Sequence, residues 1–313
     1  MNDSYSALRD ELSKVIFGQD EAIEFALAAL FSCGHVILEG PPGVAKTLLV
    51  RTLAAALDLS YGRIQMTPDL LPTDITGSSI YREDTHSFDF RKGPIFASFV
   101  LADEINRASA RTQSALLEAM QELHVTYDGV SYPLPQPFIV FATQNPIEQE
   151  GTYPLPLAQL DRFMFKVRVA YPAAADERRI LREHHATAGL SSPEQMMVRK
   201  VLTPGALIES RRIIRETHVR DEVVDYVQRL VQATRDTDSL LVGASPRSGL
   251  MLLMGAKSLA RFAGRDFVTP DDVKTALLPA MRHRVVLSPT SELEGTTTDH
   301  VLAELMEAVE VPR

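Results

Sequence analysis

The 313-residue sequence predicts an α/β fold, a parallel sheet flanked by helices with a phosphate-binding loop at its centre, followed by a smaller all-α domain. Three observations predict it. Short apolar runs at 36–38, 99–102 and 138–142 alternate with helical patterns, as buried parallel strands do. The first of these runs leads directly into Gly40-Pro41-Pro42-Gly43-Val44-Ala45-Lys46-Thr47 and the start of a helix at Leu48. Beyond Tyr171 no convincing buried strand recurs and helices take over, which divides the chain into domains 1–171 and 172–313.

The loop from Gly40 to Leu48 is predicted to cradle phosphate. Gly40 and Gly43 permit the tight turn that brings successive N–H groups to an anion at the positive end of the following helix. Lys46 would reach the terminal phosphates, and Thr47 would place its hydroxyl on a magnesium ion. Ala45 stands where the general G-x-x-x-x-G-K-[ST] pattern has glycine, and it is expected in an ordinary helical first-turn conformation.

Composition excludes several classes. No apolar run approaches the roughly 20 residues that span a bilayer, and the first residues carry acids instead of an export signal. The expected location is therefore cytoplasmic. Cys33 is the only cysteine, so disulfides within the chain and cysteine-rich zinc sites are ruled out, and the thiol is expected in the core. A formal charge of −9 makes nucleic acid an unlikely partner, since such binding draws on Lys and Arg. The predicted hairpin at 123–136 contains neither residue.

In chain order, helices are predicted at 4–17 and 21–31, joined at Phe17-Gly18, a turn that can pack against a nucleotide base or serve as a plain joint between the helices. A helix at 48–57 and a strand at 61–65 follow the loop. The segment 67–95 is too long for a plain connection and should hold its own hairpin or helix. The strand ending at Asp103-Glu104 puts two acids beside the phosphates: Asp103 can hold the magnesium shell and Glu104 can polarise the attacking water. A helix at 110–122 precedes a hairpin turning at Asp128-Gly129. The strand at 138–142 ends near Asn145, whose amide can bond the attacking water or the terminal phosphate. Arg162 lies between a helical end and a last strand at 164–169, on the surface, with Asp161 as an available partner. In the second domain, helices are predicted at 173–188, 203–217, 221–235, 245–263 and 269–283, three of them opened by Thr-Pro or Ser-Pro caps. Arg247 falls in the first turn of the fourth, where the helix dipole disfavours a cation unless an anion lies near.

Together the loop, Asp103-Glu104, Asn145, Leu160-Asp161-Arg162-Phe163 and Ser245-Pro246-Arg247 resemble the AAA+ ATPases, and within them the MoxR family. The resemblance covers nearly the whole chain, and the loop with Ala45 is expected there. It implies ATP and Mg2+ as cofactors, Asp103 and Glu104 as Walker B, Asn145 as sensor 1, Arg162 as arginine finger and Arg247 as sensor 2. Arg107 and Arg111 are alternatives for the finger. The segment 67–95 corresponds to the helix-2 insertion and 123–136 to the hairpin before sensor 1. The resemblance also implies a homo-oligomeric ring, usually a hexamer, that remodels or matures client protein complexes in a chaperone-like way, often with a von Willebrand factor A domain partner. A metal-chelatase ATPase subunit, a nucleic-acid motor and a nucleotide-gated scaffold are the alternative readings.

Overall fold

A computed structural model describes residues 2–84, 86–146, 152–186 and 198–312. Helices α1 (Asn2–Ser13) and α2 (Asp20–Ser32) precede strand β1 (Val36–Glu39), after which α3 (Lys46–Ala56) leads to β2 (Tyr61–Gln65). The predicted insertion contains both a helix, α4 (Pro72–Thr76), and an antiparallel hairpin, β3 (Gly77–Arg82) with β4 (Ser87–Lys92). Next come β5 (Phe99–Asp103), α5 (Ala110–Glu122), the hairpin β6 (His124–Tyr127) with β7 (Val130–Pro133), then β8 (Ile139–Gln144), α6 (Leu157–Leu160) and β9 (Phe165–Arg168).

Five of these strands form one parallel sheet in the order β2-β5-β8-β1-β9. Successive side chains of a strand point to opposite faces, and here both faces are apolar. Val36, Leu38, Phe99, Leu101, Ile139 and Phe141 enter a core shared with α2, α3 and the C-terminal helices. Ile37, Val100, Ala102, Val140 and Ala142 enter a second core under α5, with Leu116, Leu117 and Met120. Because β5, β8 and β1 are neighbours and parallel, their carboxyl ends bring Asp103, Asn145 and the loop after Glu39 to one edge.

The C-terminal part contains α7 (Ala174–Ala186), α8 (Pro204–Arg215), α9 (Asp221–Ala233), a short strand β10 (Leu240–Val242), α10 (Pro246–Phe262), α11 (Pro270–Met281), β11 (Val286–Leu287), α12 (Pro289–Leu293) and α13 (Thr298–Ala308). The pair β10–β11, α12 and α13 go beyond the sequence reading. Strands of two and three residues carry no periodicity, and α13 buries only Val301 and Leu302. The capped starts have their expected chemistry: Thr203 accepts from the Ala206 N–H at 3.3 Å and Ser245 from Ser248 at 3.3 Å. At Thr269 the bond runs the other way, Asp272 accepting from the Thr269 N–H at 2.8 Å.

These helices dock on α1, α2 and β9. Tyr5 stacks on Phe262 at 3.9 Å, Phe25 meets Phe165 edge-on at 5.1 Å, and a Cβ on Gly255 would lie 2.8 Å from the Phe165 ring. A polar clasp closes the same seam. Arg284, just beyond α11 and buried, donates to the Asp161 carboxylate at 2.7 Å and to the carbonyls of Phe163 and Met164 at 2.6 and 3.0 Å. Ser245, the cap of α10, donates to the other Asp161 oxygen at 3.4 Å. Asp161 is thus occupied by the second domain and not by its neighbour Arg162. Cys33 is exposed, not buried as expected. It closes α2 in a left-handed conformation with φ 60°, which turns its side chain off the core face toward Arg215.

Asp161→Ala would leave the Arg284 guanidinium buried without its carboxylate, and a loss of about 3–5 kcal/mol is expected. Urea unfolding of the two proteins measures it.

Candidate functional site

The loop after β1 lines a cavity of about 950 Å³ at the carboxyl edge of the sheet. Pro42, Gly43, Val44, Ala45, Lys46, Thr47 and Leu48 form one wall; Asp103, Glu104 and Asn145 form the facing one. Gly40 and Pro41 stand behind, where their carbonyls accept from the Lys46 ammonium at 2.5 and 2.7 Å. Gly43 has φ 83°, as a phosphate-wrapping turn requires. The need for glycine at Gly40 is steric instead: a Cβ there would lie 2.1 Å from the Val169 carbonyl oxygen. Ala45 departs from expectation. It sits at φ 64°, ψ 19°, the left-handed region, so it copies the glycine it replaces at a cost of about 1–2 kcal/mol.

At the opposite wall, the Asp103 carboxylate accepts from Thr47 at 3.1 Å and Thr143 at 2.7 Å, and pairs with Arg63 at 2.7 Å. Thr47 and Asp103 therefore present hard oxygen donors side by side, the set that suits Mg2+, which takes few protein ligands and completes its shell with water and phosphate. Glu104 lies at φ 57°, its N–H bonded to the Thr143 hydroxyl at 2.8 Å. Its carboxylate receives Gln65 at 3.2 Å and Arg107 at 3.0 Å. Arg107, an alternative for the trans-acting finger, is thus engaged within its own chain. Asn145 is buried, and its carbonyl accepts from Asn106 at 3.3 Å.

The far end of the cavity is apolar enough for a base: Val15, Ile16 and Phe17 from the joint between α1 and α2, with Pro172 and Ile180 opposite. Phe17 carries the Arg179 guanidinium over its ring at 4.1 Å. Gly18 does not line the cavity; it turns at φ 68° beside Asp176, where a Cβ would lie 2.8 Å from the carboxylate. Arg63, Gln65 and Thr143 escaped the sequence reading. Arg63 and Gln65 are placed by the register that sets Gln65 opposite Asp103 and Thr143 by the end of β8; the only sequence signal for the first two was a pair of polar residues two apart on one strand.

Arg162 and Arg247 are elsewhere. With Arg211 and His35 they line a second cavity of about 240 Å³. It is bounded by His35, Phe138 and Met164, the residues just before β1, β8 and β9. These are the amino ends of the strands whose carboxyl ends hold the phosphate loop. The four residues of β1 alone separate the two edges by about 13 Å. Arg247 does not line the large cavity of its own chain; among the described residues beyond 171, Pro172, Ile180 and Glu183 do.

Residues 35–165 match the family described as "ATPase family associated with various cellular activities (AAA)", and residues 232–305 match the AAA lid domain. The chain is 45% identical to the Chaperone MoxR1 of Mycobacterium tuberculosis, over 97% of this chain and 81% of that protein. It is 33% identical to the Protein MoxR of Paracoccus denitrificans, over 93% and 92%. The chain belongs to the MoxR family of AAA+ ATPases. The MoxR fold is matched in three dimensions by a crystal structure of a protein from Cytophaga hutchinsonii described as an ATPase, with TM-score 0.90 and 39% identity over all of this chain and 96% of that one. The family is one of ATP-binding, ATP-hydrolysing proteins. Among the described residues no helix is long and apolar enough to cross a membrane.

Two outcomes follow for this MoxR site. Gly40→Ala should force the loop off the end of β9, lowering stability by about 1–3 kcal/mol and abolishing the thermal shift given by ATP; differential scanning fluorimetry reads both. Burial, reinforced by Arg211 and Arg247, pushes the His35 imidazole down to about 4, and burial beside Arg284 pushes His283 well below its usual value. Both are neutral when folded, and the unfolded chain gains protons below about 6.5. Stability should therefore fall as pH drops from about 6.5 toward 4, and His35→Gln should flatten that slope in urea unfolding at stepped pH.

Proposed function

We propose that this chain hydrolyses Mg-ATP as a homo-oligomeric ring, a hexamer by family resemblance, in which Arg162 and Arg247 both act on the nucleotide of the neighbouring subunit. The observation that carries this reading is their shared position at the amino ends of the strands, across the sheet from the phosphate loop of their own chain. Arg162 is half-buried and Arg247 exposed, so both are available to a neighbour.

In the complete site, the N–H groups of residues 43–48 and the Lys46 ammonium hold the phosphates. The Lys46 bonds to the Gly40 and Pro41 carbonyls give way to the nucleotide. Thr47 and Asp103 would hold Mg2+, which neutralises charge on the β- and γ-phosphates. Glu104 orients and polarises the attacking water once released from Gln65 and Arg107, with Asn145 aligning that water or the γ-phosphate. Phe17 and the apolar residues around it receive the base. Arginines from a neighbour stabilise the charge of the transition state, an effect of about 10³ to 10⁵ in rate for a single finger. Hydrolysis removes those contacts and lets adjacent subunits shift.

The resulting motion is proposed to act on client protein complexes in a chaperone-like way through the hairpins β3–β4 and β6–β7, in the cytoplasm. The name of the Mycobacterium tuberculosis relative, a chaperone, supports that reading. A partner with a von Willebrand factor A domain is the expectation that family resemblance adds.

The test is complementation in mixed assemblies. Lys46→Ala removes turnover at its own site but keeps its arginines; Arg162→Ala and Arg247→Ala do the reverse. Each variant alone should hydrolyse at least about 100-fold more slowly than wild type, and a mixture of Lys46→Ala with either arginine variant should exceed the sum of its parts. Wild-type turnover per subunit should also rise with protein concentration. Mixtures no faster than their components, with a concentration-independent wild-type rate, would sink the ring mechanism.

A further inference from the structure

The cavity that holds Arg162 and Arg247 carries a third cation that no role described so far uses. Arg211, on α8, lines the same wall and is 7% exposed. Its Nε and Nη2 both donate to one oxygen, the carbonyl of Leu30 in the last turn of α2, at 3.1 and 2.8 Å. The guanidinium is thereby fixed in position with no carboxylate on the cavity wall to pair with it. The cavity wall contains no aspartate or glutamate, and among the described residues none of the three arginines forms an ion pair with a carboxylate. His35, the other titratable nitrogen group in the wall, is neutral: its Nδ1 accepts from the Val140 N–H at 3.0 Å, and burial holds it uncharged.

A buried guanidinium without a counter-charge is costly, by several kcal/mol for an isolated ion. Arg211 is the buried one; the half-buried Arg162 and exposed Arg247 on the same wall of about 240 Å³ add like charge beside it, which an arriving anion would offset. Planar donor forks match the oxygens of phosphate, which they can grip in pairs. We propose that Arg211 is a third phosphate-facing cation of the trans-acting set, a fixed charge at the back of the cavity that draws the terminal phosphate of the neighbouring subunit's nucleotide between Arg162 and Arg247. This inference rests on the trans reading of those two arginines. It accounts for a buried cation on a helix of the second domain that never approaches its own nucleotide.

The experiment uses Arg211→Gln, whose amide can still donate to the Leu30 carbonyl while the charge is gone. Nucleotide affinity, measured with a fluorescent ATP analogue, should stay within about two-fold of wild type because the phosphate loop is untouched. The kcat should fall about ten- to hundred-fold, the effect of losing one charge-assisted contact in the transition state. Mixing Arg211→Gln with Lys46→Ala should restore turnover above the sum of the two. If Arg211→Gln does not assemble, Arg211→Met, which keeps the packing of the stem, takes its place. Arg162→Ala mixed with Lys46→Ala runs alongside. Complementation by Arg162→Ala but not by Arg211→Gln overturns the Arg211 inference alone, and complementation by neither overturns the trans reading with it. A wild-type kcat in Arg211→Gln also overturns the inference. So does a rate that depends on added inorganic phosphate and loses that dependence in Arg211→Gln without complementation, which would make the cavity a free-anion site instead.

Discussion

A parallel sheet has two chemically different edges, and this chain gathers positive groups at both. At the carboxyl edge, turns lead into helix amino termini, so backbone N–H groups and Lys46 gather there and suit phosphate. At the amino edge the strands are entered from helices and loops, and Arg162, Arg211 and Arg247 gather around His35. Strand length keeps the two sets apart. No rotamer change in a single arginine crosses β1, whereas a second copy of the chain can place its amino edge against the carboxyl edge of the first. The polarity of the sheet is therefore the constraint from which the proposed ring follows.

The arginines act together only if the parts carrying them are held together, and Asp161 does this. One carboxylate oxygen takes Arg284 and the other takes Ser245. Ser245 caps α10, which bears Arg247 in its first turn, while Asp161 precedes Arg162. Two cations from different domains are thus referenced to one acid. Arg284 extends the link into the carbonyls of Phe163 and Met164 at the start of β9. A buried ion pair is weak evidence for net stability. Its value here lies in geometry, because it fixes the start of α10 and the residue before Arg162 to the same point.

The sequence made the carboxyl edge legible and left the amino edge obscure, for a physical reason. Asp103, Glu104 and Asn145 lie at or just past the ends of apolar strands, Lys46 and Thr47 open the helix that the first strand leads into, and a parallel sheet sends all of these to one side without further information. Arg247 sits on a helix whose docking is decided by tertiary packing of Phe25, Phe165 and Gly255. Nothing local to Ser245-Pro246-Arg247 states which edge it will meet. The same limit hid Arg63 and Gln65, which reach Asp103 and Glu104 only through the pairing of β2 with β5. Local chemistry also misled in places. Ala45 is left-handed where the loop turns into α3, against its own preference, and Cys33 is exposed because it closes a helix.

The contacts around Glu104 also give the proposed mechanism a route from the site to the insertion placed after β2. Gln65 is the last residue of β2 and binds the Glu104 carboxylate; the insertion starts two residues later. Its root is fastened to α5 through the Thr112 hydroxyl on the Leu70 carbonyl at 2.7 Å. Its hairpin meets the second one through Phe90, stacked on Tyr132 at 4.4 Å and against Tyr127 at 5.0 Å, with the Ser79 N–H reaching the Tyr127 hydroxyl at 3.4 Å. Aromatic contacts of this kind contribute about 0.5–1.5 kcal/mol each beyond burial, enough to make two marginal hairpins move as one body. A change in what Glu104 binds is thereby felt first at Gln65, then at the base of the insertion, and through Phe90 at the β6–β7 hairpin. In the proposed mechanism, the contacts that couple the hairpins to the site are the ones Glu104 would give up to bind the attacking water.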